Sequence, residues 1–300
     1  MLQAPSSLEG LVAPLGEAEF LSLLGERKLT FLRGDNSDRY KGLLNWALLR
    51  GMLERGEYPG DLIHLRLSRD SVTVPQELWF SKAGRFSKTD QGSRVDVAKV
   101  EAYLAQGFSL CITCIDEKAP HLAELCNDIR ARAFEHIKLG VIVTTGKLGA
   151  FTLHYDPEDL IILQVEGTKR WKIYGPAVSN PVIGMPHQEP PPEEAPIFNE
   201  VLRPGDFLFL PGGNWHRCEN GPARSLHLGF FFQPPTSWHF VKAAMSDLVA
   251  DEAIRKPLTR LPGRAALAAA EADFKRRATD AINRLSFEEY FADWIKTRGE

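Results

Sequence analysis

Between about residue 140 and residue 232 the chain is written in short apolar runs: VIVTT, FTLHYD, LIILQVEG, KRWKIYG, FNEVLR, FLFLP and RSLHLGFFF, broken by Gly, Pro, Asn and Asp. Seven such segments over roughly 90 residues predict antiparallel strands closed into a barrel or sandwich. Upstream, EAEFLSLLGE and YKGLLNWALLRGMLERG carry apolar positions at helical spacing, and TFLRG and LIHLRL read as strands. VAKVEAYLAQG predicts a helix ending at Gly107, FSLCITCI a strand, and HLAELCNDIRARAF a further helix. After FFFQPPTSW the periodicity is helical to the end, and Ser286 with Glu289 has the form of a capping box. The predicted class is α+β: a β core flanked by helices, with a C-terminal helical segment. Its expected divisions are 1–99, a mixed α/β region packing on the core; 100–235, the β core; and 236–300, the helical region. The loop PVIGMPHQEPPPEEAPIF, rich in proline and acid, is expected to be a surface excursion.

Composition narrows the partners. With 36 basic against 39 acidic residues in a chain of 300, the formal charge of −3 gives no electrostatic case for nucleic acid or an anionic membrane. No apolar run approaches the roughly 20 residues of a membrane helix, and MLQAPSSLEG lacks the basic start and apolar stretch of a secretory signal, so the expectation is cytoplasmic. Four cysteines make no disulfide framework. The CxxC of Cys111 and Cys114 sits in an apolar, β-branched run where residues three apart face opposite sides, which reads as buried structural thiols rather than a zinc or redox pair.

Chemistry concentrates in FTLHYDPEDLIILQVEGTKRWKIY. In a strand, His154 and Asp156 share one face, giving an imidazole and a carboxylate side by side. A third ligand must come from a neighbouring strand. The candidate is His216 in RPGDFLFLPGGNWH, presented after a buried strand by the bend at Gly212 and Gly213. Two histidines and one carboxylate on one face of a metal leave open positions, the arrangement of non-haem iron(II) oxygenases. In KRWKIY the alternation puts Lys169 inward with Trp171 and Ile173. An unpaired ammonium there costs several kcal/mol, so an anionic partner is expected. The far carboxylate of a 2-oxo diacid chelated at the metal fits that description.

The block HYDPEDLIILQVEGTKRWKIY, followed by RPGDFLFLPGGNWH and RSLHLGFFF, resembles the JmjC-type, cupin-like 2-oxoglutarate oxygenases, nearest the ribosomal oxygenase and asparaginyl hydroxylase branches. The similarity is dense over about residues 100 to 232. It implies a double-stranded β-helix (jelly-roll) core, Fe(II) held by His154, Asp156 and His216 as the catalytic centre, 2-oxoglutarate anchored by Lys169, and O2 as the oxidant. It also places Thr144 where relatives put a polar residue near the co-substrate. Where relatives commonly carry an asparagine and a tyrosine on the strand before H-x-D, this chain has Gly140 and Ile142. His227 reads equally as a pocket-wall residue or a satisfied core histidine, and His187, in the proline-rich loop, is a poor substitute ligand.

The expected activity is hydroxylation of an unactivated C–H bond in a protein, peptide or amino-acid substrate. Its rivals are JmjC-type demethylation, a metal-dependent cupin enzyme that does not use 2-oxoglutarate, and a non-catalytic binding module with a vestigial site. Apolar positions in the C-terminal helices, among them Leu261, Ala265, Leu267, Ala270, Phe274, Ile282, Leu285, Tyr290, Phe291 and Trp294, exceed what capping a barrel needs and point to a homodimer, as the resemblance also implies.

Overall fold

The computed structural model describes residues 4–56, 64–81, 94–133, 136–185, 195–258, 263–289 and 292. His187, Leu261, Tyr290, Phe291 and Trp294 lie outside the described residues. In chain order the first elements are α1 (Leu8–Val12), α2 (Glu17–Gly25), β1 (Thr30–Leu32), α3 (Trp46–Arg55), β2 (Leu65–Arg69), β3 (Val72–Thr73), β4 (Phe80–Ser81) and β5 (Arg94–Val95). Next come α4 (Val97–Ala105), β6 (Ser109–Ile112), α5 (Pro120–Ala133) and β7 (His136–Thr144), then β8 (Asp159–Glu166), β9 (Lys169–Pro176), β10 (Phe198–Leu202), β11 (Phe207–Leu210), β12 (Asn214–Asn220) and β13 (Ser225–Gln233). Three helices follow: α6 (Ser237–Ala250), α7 (Glu252–Arg255) and α8 (Arg264–Asn283). The chain forms two compact units, residues 1–233 and 234–300. None of the described helices is long and apolar enough to cross a membrane.

Two antiparallel sheets make the β core of the first unit. The larger runs β1-β11-β8-β13-β7-β6-β2-β3, and the smaller runs β10-β9-β12. Three strands of the N-terminal third therefore complete the larger sheet. Alternation sorts its side chains: Leu139, Val141 and Val143 of β7 and Leu226, Leu228, Phe230 and Phe232 of β13 enter the main apolar core with the N-terminal helices. The opposite face turns toward the smaller sheet. There Leu160, Ile162, Leu208 and Leu210 meet Trp171, Ile173 and Leu202 in a second apolar cluster.

Two expectations change. FTLHYD is not a strand; it keeps only an isolated antiparallel bridge between His154 and His216, since Pro157 has no N–H to continue a ladder. β7 starts before VIVTT, and Gly140 sits inside it opposite Gly229. A Cβ on Gly140 would come within 3.1 Å of Phe231 Cε2, and one on Gly229 within 3.2 Å, so the glycine pair makes room for that ring.

The turn before β11 is held by Asp206, which is 1% exposed. Its carboxylate accepts from Arg33 Nη1 at 2.6 Å, Gly34 N at 2.8 Å and Arg203 N at 2.8 Å, tying β1 to the RPGD turn. Asp206→Ala takes the acceptor from the Gly34 and Arg203 backbone donors, while Arg33 keeps Val201 O and Glu200, so a loss of about 2 kcal/mol is expected in urea unfolding; a change below about 0.5 kcal/mol contradicts this role.

Candidate active site

Bringing His154 to His216 is the work of the isolated bridge. His154 N donates to His216 O at 3.1 Å, and His216 N donates to His154 O at 2.7 Å. Gly213 turns the chain into β12 with φ +87°, where a Cβ would lie 2.1 Å from Val178 O, so this bend requires glycine. Gly212 N donates to Asp159 Oδ1 at 2.7 Å, and Arg27 Nη1 donates to Asp159 Oδ2 at 2.6 Å. Burial raises the Asp159 carboxyl above its usual value, and Arg27 opposes that shift. The start of β8 thereby fixes the turn that presents His216.

One candidate ligand atom from each of His154, Asp156 and His216 lies within 4.8 Å of the others. Nε2 of His154 and of His216 stand 3.8 Å and 3.7 Å from Asp156 Oδ2. His154 Nδ1 lies 2.7 Å from Thr152 O, and His216 Nδ1 lies 3.0 Å from Asn214 O. A carbonyl only accepts, so both Nδ1 atoms carry a proton there and Nε2 of each ring is the atom left beside the carboxylate. Burial, then the neighbouring His154, hold the His216 imidazole well below its usual value, which keeps it neutral and able to ligate. The Trp171 ring stacks on it with centroids 5.7 Å apart. Two imidazoles and a carboxylate converging on one point fit a divalent metal such as iron(II).

The cluster opens into a cavity of about 290 Å³ between the sheets, lined among others by Leu160, Ile162, Trp171, Phe231 and Lys169. Lys169 is 2% exposed and on the inward face with Trp171 and Ile173, as the alternation predicts. Its Nζ donates to Thr144 Oγ1 at 3.1 Å and lies 3.4 Å from His227 Nδ1, which can only be accepting there. Thr144 Oγ1 also shares a hydrogen bond of 3.0 Å with Ser109 Oγ. Among the described residues no carboxylate lies within ion-pair distance of Lys169. Burial lowers its pKa, and burial together with Lys169 pushes His227 well down. An anion entering the cavity would meet an ammonium already desolvated and aimed. The residues present therefore fit a metal with a carboxylate co-ligand.

Residues 117–240 match the family model of the JmjC domain. That stretch is similar to a JmjC domain. It spans α5 through β13 and contains His154, Asp156, Lys169, His216 and Thr144. Ribosomal oxygenase 1 of Homo sapiens is 26% identical over 241 residues, covering 79% of this chain and 36% of that protein. The bifunctional lysine-specific demethylase and histidyl-hydroxylase NO66 of Drosophila persimilis is 24% identical over 265 residues, covering 84% and 35%. The chain thus spans about a third of the length of these curated relatives. Among solved structures, the Escherichia coli ribosomal oxygenase YcfD superposes with a TM-score of 0.54 at 17% identity, covering 94% of this chain and 71% of that one. A second structure of YcfD, in complex with cobalt and 2-oxoglutarate, gives 0.54 at 16% identity, over 92% and 70%. These structures share the fold: the matched region here is a cupin-like jelly roll with α+β surroundings.

Of the expected residues, the three candidate ligands and Lys169 line one cavity, and Thr144 stands behind Lys169 as its hydrogen-bond partner. His227 lines that cavity as well. Cys111 lines the cavity, with burial raising its thiol to about 12, whereas Cys114 follows the strand at φ 55°. The pair forms no metal cluster among the described residues. Asp159 and Arg27 were invisible to motif reading; the one available signal was an aspartate opening an apolar strand. Gly140 and Ile142 line the cavity without offering a side-chain donor.

Burial of Lys169 disfavours its charged form, so it destabilises the ligand-free fold below the ordinary lysine pKa. That penalty is fully present below the lowered folded-state value and is relieved as pH rises from there to the ordinary lysine pKa. Lys169→Met should therefore melt higher than the parent at pH 7 by roughly 2–4 °C per kcal/mol recovered, with the gap closing toward alkaline pH. A lower melting temperature at pH 7 contradicts the assignment of Lys169 as an uncompensated buried cation.

Proposed function

We propose that this protein is an Fe(II)- and 2-oxoglutarate-dependent oxygenase that hydroxylates an unactivated C–H bond of a protein, peptide or amino-acid substrate. The observation that carries this reading is the meeting, in one cavity, of a two-histidine, one-carboxylate cluster with a buried lysine that no described carboxylate neutralises. The names of the human and Drosophila relatives support it, as does the cobalt and 2-oxoglutarate complex of YcfD. When bound, iron with 2-oxoglutarate and O2 supplies the oxidising power to break a C–H bond. The chain's part is placement. His154 and His216 offer Nε2 because Thr152 O and Asn214 O hold the Nδ1 protons, and Asp156 balances part of the metal charge. Lys169 pairs with the far carboxylate of the co-substrate, and Thr144 aims the ammonium. Leu160, Ile162 and Phe231 keep the cavity apolar and exclude water.

Aerobic incubation with Fe(II), 2-oxoglutarate and fractionated peptides or amino acids tests the reading by intact mass. Succinate release coupled to gain of one oxygen atom in a substrate is expected. His216→Ala should lose both metal and turnover while keeping its circular dichroism. Loss of a methyl group as formaldehyde would instead mark demethylation, the other activity in the name NO66. Metal-dependent turnover without 2-oxoglutarate would mark a cupin enzyme of another kind.

The reading includes a cytoplasmic homodimer formed through the C-terminal helices, with no nucleic-acid or membrane partner. Supporting it, Trp238, Val241, Met245 and Val249 are exposed at helical spacing along α6, and Leu267, Phe274 and Ile282 are exposed on α8. Light scattering at micromolar concentration should give twice the chain mass, falling to one chain in Val241→Glu/Met245→Glu. A monomeric parent protein refutes the dimer.

A further inference from the structure

The register of the larger sheet sets five residues in one transverse row: Arg66 of β2 opposite Cys111 of β6, Cys111 opposite Ile142 of β7, Ile142 opposite His227 of β13, and His227 opposite Gln164 of β8. Arg66, Cys111, Ile142 and His227 all line the cavity, so the row is part of its wall. His227 stands beside Lys169. Arg66 lies three strands away, roughly 14 Å along the row at the usual strand spacing, on an exposed position of the β2 burial pattern. The cavity wall thus carries two cations, the exposed Arg66 at one end of the row and the buried Lys169 facing His227 from the smaller sheet.

Arg66 has no structural occupation. Arg27, Arg33, Arg50, Arg132 and Arg277 are held by carboxylates, and Arg69 by Gln106 O. Among the described residues the Arg66 side chain makes no hydrogen bond, ion pair or ring contact. A guanidinium with five donors left open on an exposed position of the cavity wall is arranged for an incoming carboxylate, which it can grip with two parallel bonds. The charges inside point the same way, granted the oxygenase reading above, on which this inference rests. A divalent metal, Asp156, a doubly negative co-substrate and Lys169 cancel, leaving the positive charge of Arg66 unmatched.

We infer that Arg66 anchors a carboxylate of the substrate, so that the carbon to be oxidised belongs to an acidic molecule held by its negative end at the cavity wall. Two sources share that chemistry: an Asp or Glu side chain within a peptide, and the α-carboxylate of an amino acid or peptide C-terminus. Arg66 lies on β2, outside the matched JmjC residues 117–240, so the anchor comes from the N-terminal strands that extend the sheet.

The test uses the full chain loaded with Mn(II) and 2-oxoglutarate without oxygen, and three probes in turn. The first is a mixture of short C-terminally amidated peptides whose only carboxylates are Asp and Glu. The second is a mixture with free C-termini and no Asp or Glu. The third is a mixture of free amino acids. Mass spectrometry reads what the parent chain, Arg66→Gln and Arg66→Glu retain. The parent should hold carboxylate-bearing members of one set about ten- to a hundredfold better than Arg66→Gln, and the set that is retained names the source. Arg66→Glu should shift retention toward Lys- and Arg-containing members. Equal retention by the parent and Arg66→Gln overturns the inference, as does preference for neutral members or no retention at all. Weakened 2-oxoglutarate binding in Arg66→Gln also overturns it, by making Arg66 a co-substrate residue. If the parent itself binds no 2-oxoglutarate, the oxygenase reading fails instead, and the same comparison on the metal-free chain decides Arg66 alone.

Discussion

A lysine ammonium sealed between two β-sheets is the constraint around which the rest of this structure is arranged. Lys169 is almost wholly buried, its protein partners are a hydroxyl and a neutral imidazole, and no described carboxylate approaches it. A protein tolerates such a charge when something else gains from it. Here the ammonium faces the same cavity as three convergent ligand side chains, so the cost of desolvation has been met before any anion arrives. The polar row beneath it, Ser109 to Thr144 to Lys169, fixes the ammonium in place rather than neutralising it.

The cluster of His154, Asp156 and His216 is pre-set by backbone rather than by charge. The two-way bridge between His154 and His216 fixes their separation, carbonyl acceptors fix both tautomers, and Asp159 with Arg27 locks the glycine turn that leads into His216. Side chains that are already oriented lose little freedom on binding, and the second layer of partners holds that orientation. The glycine pair Gly140 and Gly229, with the Phe231 ring packed over both, makes the adjoining wall aromatic and flat.

Much of this was legible in the residues. Period-two alternation placed Lys169 inward with Trp171 and Ile173, because a strand buried on one face leaves no other register. The meeting of His154, Asp156 and His216 was legible because their residue types are rare together and the third follows a marked glycine bend. Less legible was what depends on pairing between distant strands. Nothing local says that FTLHYD makes one bridge instead of a ladder, since the deciding factors are Pro157 and the partner's geometry. Arg66 escaped notice for the same reason: in LIHLRL it is one polar position of a short strand. Only the registers of β2, β6, β7 and β13 carry it to the cavity wall. Asp159 likewise gains its meaning from Gly212, far along the chain.

If Lys169 is buried for the sake of a dicarboxylate, its removal must separate metal binding from co-substrate binding. The direct measurement is a calorimetric titration of 2-oxoglutarate into metal-loaded parent protein and into metal-loaded Lys169→Met, with bound metal quantified in both. The account predicts equal metal content and an affinity for 2-oxoglutarate weakened about ten- to a hundredfold in the variant. Equal affinity in the two proteins at equal metal content would contradict it.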